Sequence, residues 1–249
     1  MSNNKRVPYI VSSSQVSEKS ALGSTITIDT DPIDTLEKRV RVLKSSIWCV
    51  FPNVSTDRGN NTIKFTWSGF VHTITLNKGL YGTKDIQESI VEYCENNLLP
   101  KELIRMIPDG ATNLMTLRIE TLANFTMDFE DPQNVLFKDY LGFSGTINTS
   151  VLQNYDSVNI PSLNRTNSVF IHCSFANGAF YGGQGGSNII ATCNINVSPG
   201  KLMNTEDSHP IESTCNGNII RRFTIWLTNE RNELLDMNNE DFLLVLEIF

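Results

Sequence analysis

Apolar and polar residues alternate with period two along most of the chain, a pattern that turns one face of a strand toward a core and the other toward water. The clearest case is the stretch from Asn218 to Phe249. Ile219, Phe223, Ile225 and Leu227 share one face, interrupted by Arg221, while Arg222, Thr224, Trp226 and Thr228 share the other. After a polar excursion, Phe242, Leu244, Leu246 and Ile248 line one face of a closing strand and Leu243, Val245 and Phe249 the other, with Glu247 its single charge. A strand apolar on both faces is expected to be covered on both sides. The rest of the chain is organised around this pair.

Upstream, residues 1–23 are polar and Ser-rich and are expected to form a flexible arm, because they offer too little apolar surface to offset the entropy of ordering. Ser24 to Asp29 reads as a short strand, and Asp29, Asp31 and Asp34 around Pro32 as a turn. Those carboxylates lack the spacing of an EF-hand loop, so no metal site is assigned to them. A strand is expected through Val40, Val42, Ile47, Cys49 and Phe51. A hairpin follows, with Ile63, Phe65 and Trp67 leading through Ser68-Gly69 to Phe70–Leu76. One helix is predicted over Thr83 to about Leu98, with Thr83 as its cap and Ile86, Ile90, Tyr93, Cys94 and Asn97 at helical spacing.

Beyond Pro100, Met115, Leu117 and Ile119 and then Phe125, Met127 and Phe129 alternate as a second hairpin, and Leu136–Phe143 reads as an apolar turn that plugs one end of a core. Val169, Ile171, Cys173 and Phe175, then Ile189, Ala191, Cys193, Ile195 and Val197, alternate in the same way. Long loops are expected at Ser144–Asn167 and Ser198–Asn216, free to meet partners. About nine or ten strands against one helix predict an all-β chain: a single jelly-roll antiparallel β-sandwich over 24–249 with one inserted helix and the flexible N-terminal arm.

A net charge of -7 and scattered basic residues argue against nucleic-acid binding. The Lys38–Lys44 run is expected to be the solvated face of a strand. No secretory signal and no membrane-spanning stretch is legible, so the Asn-X-Ser/Thr sequons are expected to stay unglycosylated. The 5 cysteines show no Cys-x-x-Cys spacing, which fits free thiols in a reducing compartment.

Candidate chemistry is sparse. Of the 3 histidines, none is joined by pattern to a nucleophile or carboxylate, and His172 is expected to be exposed or at an interface. Cys173 cannot pair with it catalytically, because adjacent strand residues point to opposite faces. Gly182–Gly186 lacks the Lys-Ser or Lys-Thr of a phosphate loop and is expected to be flexible. No catalytic residue, cofactor or metal is therefore assigned. Trp48, Phe170 and Trp226 are different: each lies opposite its strand's apolar face, which marks them as candidate interface residues, the alternative being cover by the chain's own arm or helix.

Two stretches, DFEDPQNVLFKDYLGF at Asp128–Phe143 and FTIWLTNERNELLDMNNEDFLLVLEIF at Phe223–Phe249, resemble the minor capsid or penton proteins of virophages, Polinton-type viruses and related large DNA viruses. The resemblance runs from about Ile47 onward. It departs from the pattern where a glycine is expected between Leu235 and Phe242. It implies a single jelly roll, assembled as a pentamer at icosahedral vertices, packed against a double-jelly-roll major capsid protein, within a virion made inside the host cell. It transfers no catalytic residue. The competing functions are a carbohydrate-binding sandwich, for which Phe180 and Tyr181 are the candidate loop aromatics, and a sandwich hydrolase, for which no acidic pair stands out.

Overall fold

The computed structural model describes residues 7–163, 166–177, 179–181, 184–206 and 210–249. Every pairing between its strands is antiparallel, and one long helix accompanies them, so the all-β class is as expected. The chain divides into two compact units, Met1–Phe51 with Thr166–Phe249 and Pro52–Arg165, where the sequence reading drew one domain over 24–249. Alternation reports that a strand has a buried face but not which core buries it, so two cores and one read alike.

The first unit begins with β1 (Val7–Ser12), β2 (Glu18–Lys19), β3 (Thr25–Asp34) and β4 (Arg39–Trp48). After the intervening unit it resumes with β12 (Ser168–Cys173), β13 (Ala176–Asn177), β14 (Ala179–Tyr181), β15 (Gln184–Ser187), β16 (Ile189–Asn194), β17 (Leu202–Glu206), β18 (Ser213–Cys215), β19 (Ile219–Thr228) and β20 (Phe242–Ile248). One sheet runs β1-β20-β4-β18-β13 with β17 also on β4, and the other runs β16-β12-β19-β3-β2. Strands distant in sequence are neighbours in both, the crossing connectivity of a jelly-roll sandwich. Between the sheets, Val42, Ile47, Leu244 and Leu246 from one join Ile171, Ile225 and Leu227 from the other in a single core.

Several expectations change here. The arm is not free: Val7–Ser12 pairs residue for residue with Ile248–Leu243, because β20 leaves one edge unpaired and a short apolar run can fill it. The Asp29–Asp34 cluster is not a turn but the end of β3, accommodated by an irregularity between Ile220 and Arg222 of β19. The long loops contain strands, two of which, β17 and β18, pair with β4. Gln184–Ser187 is a strand paired with β14, while Gly182, Gly183 and His209 lie outside the described residues.

Strand β4 also changes face midway. Val40 and Val42 are buried, then Ser45 and Ile47, and the register skips Leu43 opposite Val245 and Leu246. One bulged residue thus reconciles the two parities of the Val40–Phe51 pattern. The basic alternation on its outer face is paired rather than merely solvated: Arg41 bonds Glu247 and Glu212 and lies over the Phe249 ring, 4.7 Å from its centre.

The polar excursion between β19 and β20 explains the absent glycine. Asn232, Asn238 and Asn239 adopt φ of 62°, 48° and 67°, and asparagine is the side chain that best tolerates this left-handed region. Asn229, 1% exposed, accepts from the backbone N–H groups of Arg231 and Glu233 and donates to the Glu233 carboxylate.

The second unit contains β5 (Thr62–Trp67), β6 (Phe70–Thr75), α1 (Thr83–Asn96), β7 (Ile104–Pro108), β8 (Met115–Ile119), β9 (Phe125–Asp128), β10 (Thr146–Thr149) and β11 (Gln153–Asp156). Its sheets run β10-β9-β5-β6 and β11-β8-β7. Helix α1 buries Ile86, Ile90 and Cys94, as the spacing predicts. Its cap is Gly82, not Thr83, and the Gly82 N–H donates to Asp85. The plug at Leu136–Phe143 is buried, with Phe129, Phe137 and Phe143 rings 5.2 to 6.1 Å apart. Asn134 fixes it by bonding the backbone of Lys64 and Asp128.

Deleting Phe242–Phe249 removes four core side chains of β20, leaves β1 without its partner and frees one edge of β4. At about 2 to 3 kcal/mol per large side chain, that loss is on the order of 10 kcal/mol, the size of a domain's whole stability. The truncated chain is expected to be insoluble or to lack a cooperative melt. Replacing Asn229 by Ala is expected to destabilise by about 2 kcal/mol, read from a denaturant titration, because three bonds at one buried turn are lost together. A change below about half a kcal/mol would show the turn to be held otherwise.

Candidate interaction surface

The three aromatic residues marked by the sequence do not form one patch. Phe170 and Trp226 lie on the same face of the β12–β19 pair, opposite the core residues Val169, Ile171, Ile225 and Leu227. Trp48 belongs to the other sheet, opposite Leu202 of β17. Trp48 and Trp226 are half-buried and Phe170 is buried.

Between Phe170 and Trp226 stands His172. Its ring stacks on Trp226 at 5.0 Å and 9°, and its Nε2 shares a 2.8 Å hydrogen bond with the Thr228 hydroxyl. Of the expectation that His172 is exposed or at an interface, the exposure is corrected: His172 is 6% exposed, because both faces of β12 are covered. A base against a hydroxyl is the arrangement of an activated nucleophile. Here Thr228 is 2% exposed and burial lowers the His172 pKa to about 4, so the pair offers neither access nor basicity. The thiols are no better placed. Burial pushes Cys173 up to about 12 and Cys94 and Cys215 up to about 11, which keeps them protonated at neutral pH. Among the described residues no group of His, Cys, Asp and Glu is arranged to hold a metal ion.

The second unit supplies what the sequence reading missed. The inner face of the β5–β6 hairpin carries Ile63, Phe65 and Trp67 opposite Ile74, His72 and Phe70. Its far end overshoots the core: Phe65 and Ile74 are buried, Trp67 is half-buried, and Phe70 is 71% exposed. Trp67 is held in place by its indole N–H, which donates to the Thr121 hydroxyl at 3.0 Å. Beside it lies an open groove of about 510 Å³ lined by Trp67, Pro100, Glu120, Leu122, Ala123 and Leu152. Leu122 is 99% exposed, Leu152 54% and Val151 57%. Leu98, 94% exposed, occupies a left-handed position at φ 57° just past α1, where glycine or asparagine is usual. A large side chain held there in full contact with water gains nothing within the fold.

A signal for this surface exists in the sequence. Leu98, Leu122 and Val151-Leu152 are apolar residues at turns, where polar residues are usual. Periodicity overlooks them because they fall between strands.

A second, polar groove of about 260 Å³ lies between β6 and α1, lined by Thr75, Asn77, Tyr81, Glu92, Tyr93 and Asn96 among others. The side chains of Phe180 and Tyr181, named for the carbohydrate-binding alternative, lie outside the described residues.

No family model and no curated protein matches the chain. Solved structures do match, 14 chains in all. One is the mavirus penton protein, 9% identical with a TM-score of 0.48, the match covering 98% of this chain and 99% of that one. At that identity and TM-score no residue role is carried across.

His172 makes stability depend on pH. Below about 6.5 the unfolded chain takes up a proton that the folded chain refuses until about 4, so stability falls as pH falls through that window. His72, whose pKa burial also lowers, acts in the same direction. Melting temperatures measured from pH 7 to pH 4.5 are expected to drop, and His172→Gln to flatten the slope without abolishing it. An unchanged slope in the variant would mean that the folded chain protonates His172 freely.

Proposed function

We propose that this chain is a structural protein of an icosahedral virion, a vertex (penton) or minor capsid protein, which works by self-association and by docking to a double-jelly-roll major capsid protein. The observation that carries the proposal is the apolar surface of the second unit, where Phe70, Leu98, Leu122 and Leu152 are held in water on an antiparallel framework. A framework of long-range strand pairs is rigid, and apolar side chains fixed on it are spent only when another molecule covers them. The half-buried rings of Trp48 and Trp226, the latter on the face of Phe170, are proposed as further contact positions.

The resemblance at Asp128–Phe143 and Phe223–Phe249 points the same way, since both stretches serve to set the two cores. A net charge of -7 keeps unassembled copies soluble. Among the described residues no helix is long and apolar enough to cross a membrane. On this reading the chain has no enzymatic activity, needs no cofactor, and acts in the virion after assembly in the host cell; a five-fold ring is what the resemblance favours.

The second reading is a carbohydrate-binding module, favoured by the groove between β6 and α1 with its two tyrosines, a glutamate and two asparagines. Sedimentation of the purified protein, together with its stoichiometry in purified particles, separates the two. The proposal expects a discrete cyclic oligomer and a fixed copy number at particle vertices. A monomer absent from particles, with saturable binding to a glycan, would replace it by the second reading.

A further inference from the structure

Deepening that reading and resting on it, we propose that the second unit carries both halves of a head-to-tail contact between copies of this chain: the Val158–Ile160 loop of one copy seats in the groove of Trp67, Pro100, Leu122 and Leu152 of the next.

The two halves are on the same unit but at opposite ends of β11. Leu152 immediately precedes that strand and lines the groove. Val158 and Ile160, 68% and 64% exposed, follow it. The four residues of that strand span about 13 Å, and the loop beyond is tied to the Gly142 carbonyl, so it cannot fold back into the groove of its own molecule. A surface and its complement placed apart on one subunit define a heterologous interface, which closes into a ring when the rotation between copies allows.

The loop is also preset for insertion. The N–H groups of Val158 and Asn159 both donate to the Gly142 carbonyl, at 2.8 and 3.1 Å, and the Ser162 N–H donates to the Tyr140 carbonyl at 2.7 Å. Gly142 has φ 79°, and a Cβ there would run into the Asn159 backbone carbonyl. The buried plug at Leu136–Phe143 thus fixes the loop against the core, so little ordering cost remains to be met on binding.

Charge and area favour a second copy as the occupant. Glu120, the charged residue that lines the groove, is paired with Arg118, and Lys101, next to Pro100, with Glu95, so this rim adds nothing to the repulsion expected between two acidic copies. At roughly 100 Å² per fully exposed large aliphatic side chain, and more for an aromatic one, Phe70, Leu98, Leu122, Val151 and Leu152 present on the order of 400 to 500 Å² of apolar surface. On the groove side, this is about what a standard interface of about 800 Å² per partner, some 60% apolar, requires.

The test uses two variants of the full chain: Leu122→Lys with Leu152→Lys, which spoils the groove, and Val158→Asp with Ile160→Asp, which spoils the loop. All four positions are more than half exposed, so both variants should melt like the parent, and single Leu122→Ser and Ile160→Ser forms provide milder versions. By sedimentation each variant alone is expected to be monomeric where the parent is oligomeric, with self-association weakened roughly thirty-fold or more. Mixed in equal amounts, the two should form discrete dimers, because one intact loop still meets one intact groove and the spoiled ends stop growth. If the parent forms its ring and both variants do so equally well, this inference is wrong while the vertex reading stands. If the variants keep the ring but lose their place in particles, the groove receives a different protein and the inference is again wrong. A parent that is monomeric at all concentrations and absent from particles overturns both.

Discussion

The first unit depends on the pairing of β20 between β4 and β1. Its inner face gives Phe242, Leu244, Leu246 and Ile248 to the core, and its two edges bond strands from the beginning of the sequence. Both of its strand pairings join residues some 200 positions apart, so the entropy of closing so long a loop must be met before burial returns it. The ion pair of Arg41 with Glu247, with Phe249 beneath the guanidinium, secures the same closure on the outer face. Because Glu247 is 8% exposed, losing Arg41 would leave a nearly buried charge without its partner, which costs more than the pair itself contributes.

The second unit is built differently. Its strands are short, its two sheets are small, and much of its core comes from α1 and the aromatic plug. Asn134 and the Lys64–Asp131 ion pair tie the plug to β5, so an irregular segment becomes as fixed as a strand. This is what makes the turn residues around it, Gly142 and Val158–Ile160, a rigid surface rather than a mobile one.

Strand positions were legible because period-two alternation is a direct consequence of one buried face, and the spacing of Ile86, Ile90 and Cys94 gave α1 for the equivalent reason at period 3.6. What could not be read was partnership. The apolar run Val7–Val11 looks too short to order until β20 offers an edge, and His172 looks exposed until its second face is known to be covered. The bulge at Leu43 was present as a change of parity between Val42 and Ile47, a signal that only a register could interpret. Of the three candidate aromatics, Phe170 and Trp226 share a face of the β12–β19 pair while Trp48 lies on the other sheet, and the larger exposed set around Leu122 went unmarked, because it lies at turns and owes its proximity to folding.

The order in which the strands leave the ribosome gives β20 one further consequence. Residues 52–165 form a contiguous unit and can fold as soon as they emerge, whereas β1 and one edge of β4 wait for β20, and β12 and β3 for β19, in the final sixth of the described sequence. Throughout that interval β4 presents an uncapped edge, so the nascent protein passes through a stage in which chaperone capture competes with pairing to strangers. Slow translation of residues 219–248 would lengthen that stage without altering a single contact of the finished molecule.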